Sequence, residues 1–436
     1  MLPSQENGLS LDQAPPLRIP LLFFSVAPIA LLAAGTLLLF REGSAHLSRM
    51  DPVSFAVAHC LALGFLGSVM MGALYQMTPV VAGKRVPWIW IAYLVLPLFV
   101  GGGVFLVLGF LGVMNGGFTV AHHLMGYVFV LFVVPTGIAL FRAPTRSDTV
   151  WGMRLAVLAF ALALSAGIVL AIARTGRSLY FNDNWFSWVY THLGLGLVAW
   201  IGGLLTSVSW QVVPMFYLSG ECPGWARKSM LLGQAFTMVA PLLALFAGAG
   251  PGTIALLCLP GAVSVFLLHP WTTALMIRSR LRKRREASLS FWGFGLAAGP
   301  LVLLLGLLAT TSADTRYPLL LGWTLLFGWA GMIVHGMLTR IVPFLLWFHR
   351  FSSLVGKPGV PTLRDIYPER RGRVGLYLHL GAYGLGVLAI LLESAPLYRG
   401  LGLLLSLTGL WLGVSLLRAV RLRAETSLPS PQSKLV

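Results

Sequence analysis

The sequence predicts an all-α polytopic membrane protein with twelve transmembrane helices in a pseudo-threefold arrangement of three four-helix units. Three observations carry that expectation. Of the 436 residues 57% are apolar and only 10% charged, and the mean hydropathy is +0.83, whereas a soluble chain of this length carries about 25% charged residues. The sequence breaks at its charges, prolines and polar clusters into twelve apolar stretches, each long enough for the ~20 residues that cross a bilayer. Three of those stretches end on one shared pattern of small, polar and proline residues.

The stretches run 18–41, 52–80, 86–113, 116–141, 150–173, 187–218, 228–248, 252–277, 289–311, 317–348, 373–393 and 397–418. Residues 1–17 form an N-terminal tail with two acids and no base. That tail lacks the basic start of a cleaved secretory signal, so the first stretch reads as a permanent helix. Residues 419–436, with Ser-Leu-Pro-Ser-Pro-Gln-Ser, read as a disordered tail. The net charge of +18 follows the positive-inside rule. Twenty-four of the 31 Lys and Arg fall in the two tails and the even-numbered loops, six fall in the odd-numbered loops, and Arg340 lies inside span ten. Both termini are therefore expected in the cytoplasm. The basic run Arg278 to Arg285 reads as a topological anchor against anionic lipid. Because the bases are scattered between apolar runs, the charge does not point to nucleic acid; the bilayer is the expected partner. Three cysteines, Cys60, Cys222 and Cys258, form no C-x-x-C pair and give neither a disulfide framework nor a thiolate metal site.

Span two closes on Gly67, Gly72, Gln76 and Pro79, span six on Gly202, Ser207, Gln211 and Pro214, and span ten on Gly331, Gly336, Arg340 and Pro343. Gly64, Ala199 and Gly328 stand three residues before the first glycine each time. The spacing is identical, and four spans separate each copy from the next. The repeat units are therefore 18–141, 150–277 and 289–418. In lipid, close backbone approach drives helix association, so these three spans are expected to line a central seam. Arg340 is expected to snorkel to the inner surface.

Ionisable groups inside spans point to function. On this topology His59, His122, His123 and His192 all fall in the outer third. His59 lies 20 residues before Pro79 and His192 lies 22 before Pro214, about 30–33 Å at 1.5 Å per residue. At 100° per residue they flank the small-residue stripe on opposite sides, which lets neighbouring helices turn them together or into separate clefts. Imidazole suits haem iron and copper. The expected metal set is His59, His192 and His123, with His122 as the alternative to His123. Arg174 and Arg177, in an outer loop, are placed to meet haem propionates, beside Trp185 and Trp188, which also suit an interfacial aromatic belt. His269, His335 and His379 lie on the inner side. No acid lies in the middle of a span, which argues against a carboxylate-driven pump, and there is no Walker loop, H-E-x-x-H or G-x-S-x-G.

Twelve spans, an N-in topology, a threefold of four-helix units and His59 near the outer end of span two, followed by a glycine-rich stretch closing in proline, resemble subunit I of the haem-copper oxidases. They also resemble the NnrS-type haem-copper membrane proteins of nitric oxide metabolism. The resemblance covers nearly the whole chain in topology and implies haem b, with copper as a second candidate. His59 matches the position of an axial ligand of the low-spin haem. Subunit I carries H-x-H in span ten, where this chain has Leu321-Gly322-Trp323, and its copper site uses a His followed by Pro-Glu, where His192 is followed by Leu-Gly. A terminal oxidase centre is therefore not expected. The resemblance implies a haem or copper protein of redox or nitric oxide response, with a redox partner, and it alone implies that the membrane is a cell inner membrane. A twelve-span secondary transporter of a small solute is the rival, although two-halves transporters repeat after six spans and this chain repeats after four. A structural or assembly subunit is the third reading.

Overall fold

The computed structural model describes residues 13–40, 47–176, 184–281, 283, 284 and 286–422. Among these there is no strand, and twelve helices are long and apolar enough to cross a membrane. Spans 1 to 4 are Arg18–Leu39, Pro52–Ala82, Ile89–Phe110 and Gly117–Phe141. Spans 5 to 8 are Asp148–Ala173, Trp185–Tyr217, Gly224–Phe246 and Leu259–Arg278. Spans 9 to 12 are Ala287–Thr311, Arg316–Leu354, Glu369–Leu392 and Ala395–Arg421. The chain is a multi-pass membrane protein. Its apolar stretches set the helices as expected, with three main adjustments: span 8 is preceded by a separate short helix, Pro251–Leu257, span 10 continues to Leu354, past the expected 348, and span 12 continues to Arg421, past the expected start of the tail. The rest of that tail, after Leu422, lies outside the described residues.

The neighbour relations repeat three times. Within each unit the first span packs on the second, the second touches both the third and the fourth, and the third packs on the fourth. Span 4 then meets span 5, span 8 meets span 9, and span 12 closes the ring on span 1. That last seam is tight because it is built on glycine. A Cβ at Gly402 would stand 2.5 Å from the Leu39 nitrogen, and one at Gly409 would stand 2.6 Å from the Pro28 carbonyl. The repeat also holds in the contacts of the shared pattern. A Cβ on Gly72 would meet Phe23 and Phe24 of span 1, and one on Gly336 would meet Phe291 of span 9, while Ser207, at the matching place, fills the gap over Gly152 of span 5. Each time, a small residue lets the second span settle on the first span of its own unit.

Spans 2, 6 and 10 face inward. In spans 6 and 10, 72% of the apolar window is buried, against 22% in span 3. Each of the three contains a π-helical segment, Cys60–Gly67, Gly194–Gly202 and Thr324–Gly331. All three segments end on the first glycine of the shared pattern. Shorter π segments recur in spans 4 and 8, at Phe129–Val133 and Ser264–Leu268. Each π turn takes in an extra residue, so the helix advances by less than 100° per residue and the face it presents shifts. Each long segment begins one or two residues after His59, His192 or Trp323, so it separates that residue from the stripe below it.

Arg340 does not snorkel. Its side chain is 12% exposed and its guanidinium pairs with Glu286 at 3.0 Å, because the carboxylate sits within reach at the start of span 9. A charge this buried is held by a partner rather than by solvent.

Candidate functional site

The site lies between the first and second units, at the end of the bundle opposite the start of span 1. Asp51 caps span 2 by accepting from the Val53 N–H at 2.9 Å, and His59 stands two turns further on. Its Nδ1–H donates to the Phe55 carbonyl at 2.8 Å. His192, in span 6, donates from Nδ1 to the Ala163 carbonyl of span 5 at 2.9 Å. The absence of a side chain at Gly167 makes room for that ring, since a Cβ there would lie 3.1 Å from His192 Cε1. A carbonyl only accepts, so both rings carry their proton on Nδ1 and present the lone pair of Nε2. Both histidines are half-buried, and they are close enough to interact electrostatically. Of the two facings open to the sequence, the fold takes the one that turns both toward the same boundary between units.

Aromatic rings enclose the span 2 side. Phe110 lies 5.0 Å from the His59 ring, 5.2 Å from Phe55 and 5.2 Å from Phe118. Arg174, at the end of span 5, lies over the Trp185 ring at 5.0 Å and the Phe55 ring at 5.7 Å. It thus bridges the two units beside the histidines, and Trp185 serves as its platform. Arg177 lies outside the described residues. Below the pair, the rings of Tyr75, Phe132, Phe160 and Trp200 follow one another at 4.8–5.6 Å, so the interface between the units is filled with packed aromatic groups toward the other end.

His122 and His123 stack on span 4 with ring centroids 4.2 Å apart. Each donates from Nδ1 to the carbonyl four residues back, Phe118 at 2.9 Å and Thr119 at 2.7 Å. Among the described residues no group of three His, Cys, Asp or Glu is arranged to hold a metal ion. The trio of His59, His192 and His123 is therefore not gathered as a cage; the fold assembles a two-histidine site and leaves the span 4 pair beside it.

The remaining histidines are internal. His269 Nε2 meets the Ser209 hydroxyl at 3.1 Å. His335 and His379, both fully buried, meet Nδ1 to Nδ1 at 3.0 Å, and His379 Nε2–H donates to the Phe327 carbonyl at 3.0 Å. Sequence reasoning did not find Phe55 and Phe110 or the part played by Glu286. Only Glu286 left a signal, as an acid directly after a run of bases and directly before a span. No protein-family model matches the chain, and no curated protein matches it.

Proposed function

We propose that the protein binds haem, or alternatively copper, through the Nε2 atoms of His59 and His192, and acts in redox or nitric oxide response as a divergent relative of the haem-copper oxidase fold. One observation carries the reading: both rings have Nδ1–H fixed on a backbone carbonyl, a hydrogen bond that orients a metal-ligating histidine and raises its basicity. Two such nitrogens from neighbouring units would hold the metal of the bound group, and the phenylalanine wall would meet its apolar surface. Arg174 supplies a cation for propionates, beside the half-buried histidines. When bound, the group would supply one-electron chemistry; the chain fixes the ligands and covers the inner face with the Tyr75 to Trp200 stack. The charge distribution supports a cytoplasmic location for the end that carries Arg18 and Arg421, with the histidines toward the outer side; the inner membrane is carried over from the family resemblance alone.

The absorption spectrum of protein purified from haem-sufficient cells tests this. A Soret band is expected, together with iron or copper by elemental analysis, and both are lost in His59→Ala and in His192→Ala. A colourless, metal-free wild type overturns the proposal.

A further inference from the structure

A second cluster lies at the opposite end of the bundle, within the third unit, and owes nothing to the histidine site. Glu286 precedes span 9 and is 5% exposed; it pairs with Arg340 of span 10 at 3.0 Å and with Arg364 of the loop between spans 10 and 11 at 3.4 Å. Glu369, which starts span 11, accepts from the Ala287 N–H at 2.6 Å and so caps the neighbouring helix rather than its own. These groups, with Ser288 and Thr339, line a cavity of about 30 Å³. That space exceeds the ~10–15 Å³ needed for one water, and it is polar.

Two carboxylates and two guanidinium groups line it: Glu286 answers both Arg340 and Arg364, while Arg284 and Arg373 lie near enough to Glu369 to act on its charge. The first turns of spans 9 and 11 also open on the cavity, and helix starts carry partial positive charge. Arg340 is the sharpest sign. One terminal nitrogen is held by Glu286 and the other by the Phe216 carbonyl at 3.3 Å, but its buried Nε–H has no acceptor. A buried donor without a partner is costly, and a charged one more so.

We propose that this cavity is an anion site, in which a small anion or one anionic oxygen of a phosphate accepts from Arg340 and Arg364 between spans 9, 10 and 11. Two sources offer that chemistry, a free halide-sized ion and the phosphate of an anionic phospholipid. The small volume of the space favours the free ion.

Thermal unfolding of the detergent-purified full chain at fixed ionic strength separates the outcomes. With chloride replacing gluconate, the midpoint is expected to rise saturably, and the rise is expected to vanish in Arg364→Gln, whose partly exposed side chain leaves the Arg340–Glu286 pair in place. Equilibrium binding of radiolabelled chloride, about one per chain in wild type and none in Arg364→Gln, keeps the test decisive if the variant is unstable. Stabilisation by anionic-lipid nanodiscs over neutral ones, without chloride binding but with the same loss in Arg364→Gln, keeps the site and assigns it to lipid phosphate. The absence of both responses, or equal responses in wild type and Arg364→Gln, overturns the proposal.

Discussion

The molecule contains two histidine pairs built from the same side chain, and they are wired in opposite ways. His335 and His379 lie inside one unit and face each other. The Phe327 carbonyl takes the Nε2 proton of His379, so His379 Nδ1 is the acceptor and His335 Nδ1–H the donor of the bond between them. The Phe327 ring lies on the His379 ring at 3.8 Å and 8°, and Phe291 lies 4.7 Å from His335. The remaining nitrogen, His335 Nε2, is buried without a hydrogen-bond partner. His59 and His192, by contrast, come from different units, spend their Nδ1 protons on main-chain carbonyls and are half-buried rather than fully buried. One pair is bonded ring to ring and holds two spans of one unit together. The other is oriented by main-chain carbonyls alone, which is the arrangement the proposed ligand site requires.

Substitutions that treat the two pairs alike should therefore give unlike results. His379→Ala should lower stability by about 3–5 kcal/mol, because it opens a cavity against Phe327 and strands the buried His335 Nδ1 donor; thermal unfolding would show it, with the absorption spectrum of the folded fraction unchanged. His192→Ala should cost only about 1 kcal/mol, the worth of one partly exposed hydrogen bond, while abolishing the Soret band. Equal spectral loss in both variants would erase the distinction between the pairs. Gly336→Ala sharpens the packing side of the comparison. Its new Cβ collides with Phe291, the ring beside His335, and overpacking of this kind costs about 1–3 kcal/mol, again readable as a lower unfolding midpoint without spectral change. The smallest effect belongs to Arg174→Ala, which removes a cation over two rings worth about 0.5–1 kcal/mol at such a site. Its signature is a weaker hold on the chromophore, measured as faster haem loss to an apo-globin acceptor.

Much of this architecture was legible. Lipid forces every spanning segment to satisfy its backbone internally, so apolar length alone located twelve helices. The glycine, serine and proline pattern of spans 2, 6 and 10 pointed to the inner helices because close approach leaves few alternatives to small residues. The candidate site was legible in depth only. His59 and His192 were placed near one end by residue counting, but their meeting depends on the π segments, whose extra residue per turn invalidates an even 100° count. Nothing in Cys60–Gly67 or Gly194–Gly202 announces that extra residue. Arg340 illustrates a second limit: a basic residue near a span end reads as snorkelling until the fold brings Glu286 beside it from another span.

The sequence by itself determined the class, the number of spans, their limits to within a few residues and the repeat after every four, because hydropathy and small-residue spacing act along one helix at a time. Only the tertiary structure decided which side chains meet. It turned His59 and His192 toward one boundary between units, set His122 beside His123, locked His335 onto His379 and set Arg340 on Glu286. Those outcomes depend on rotation about each helix axis and on neighbours supplied by distant segments, and no local pattern encodes either.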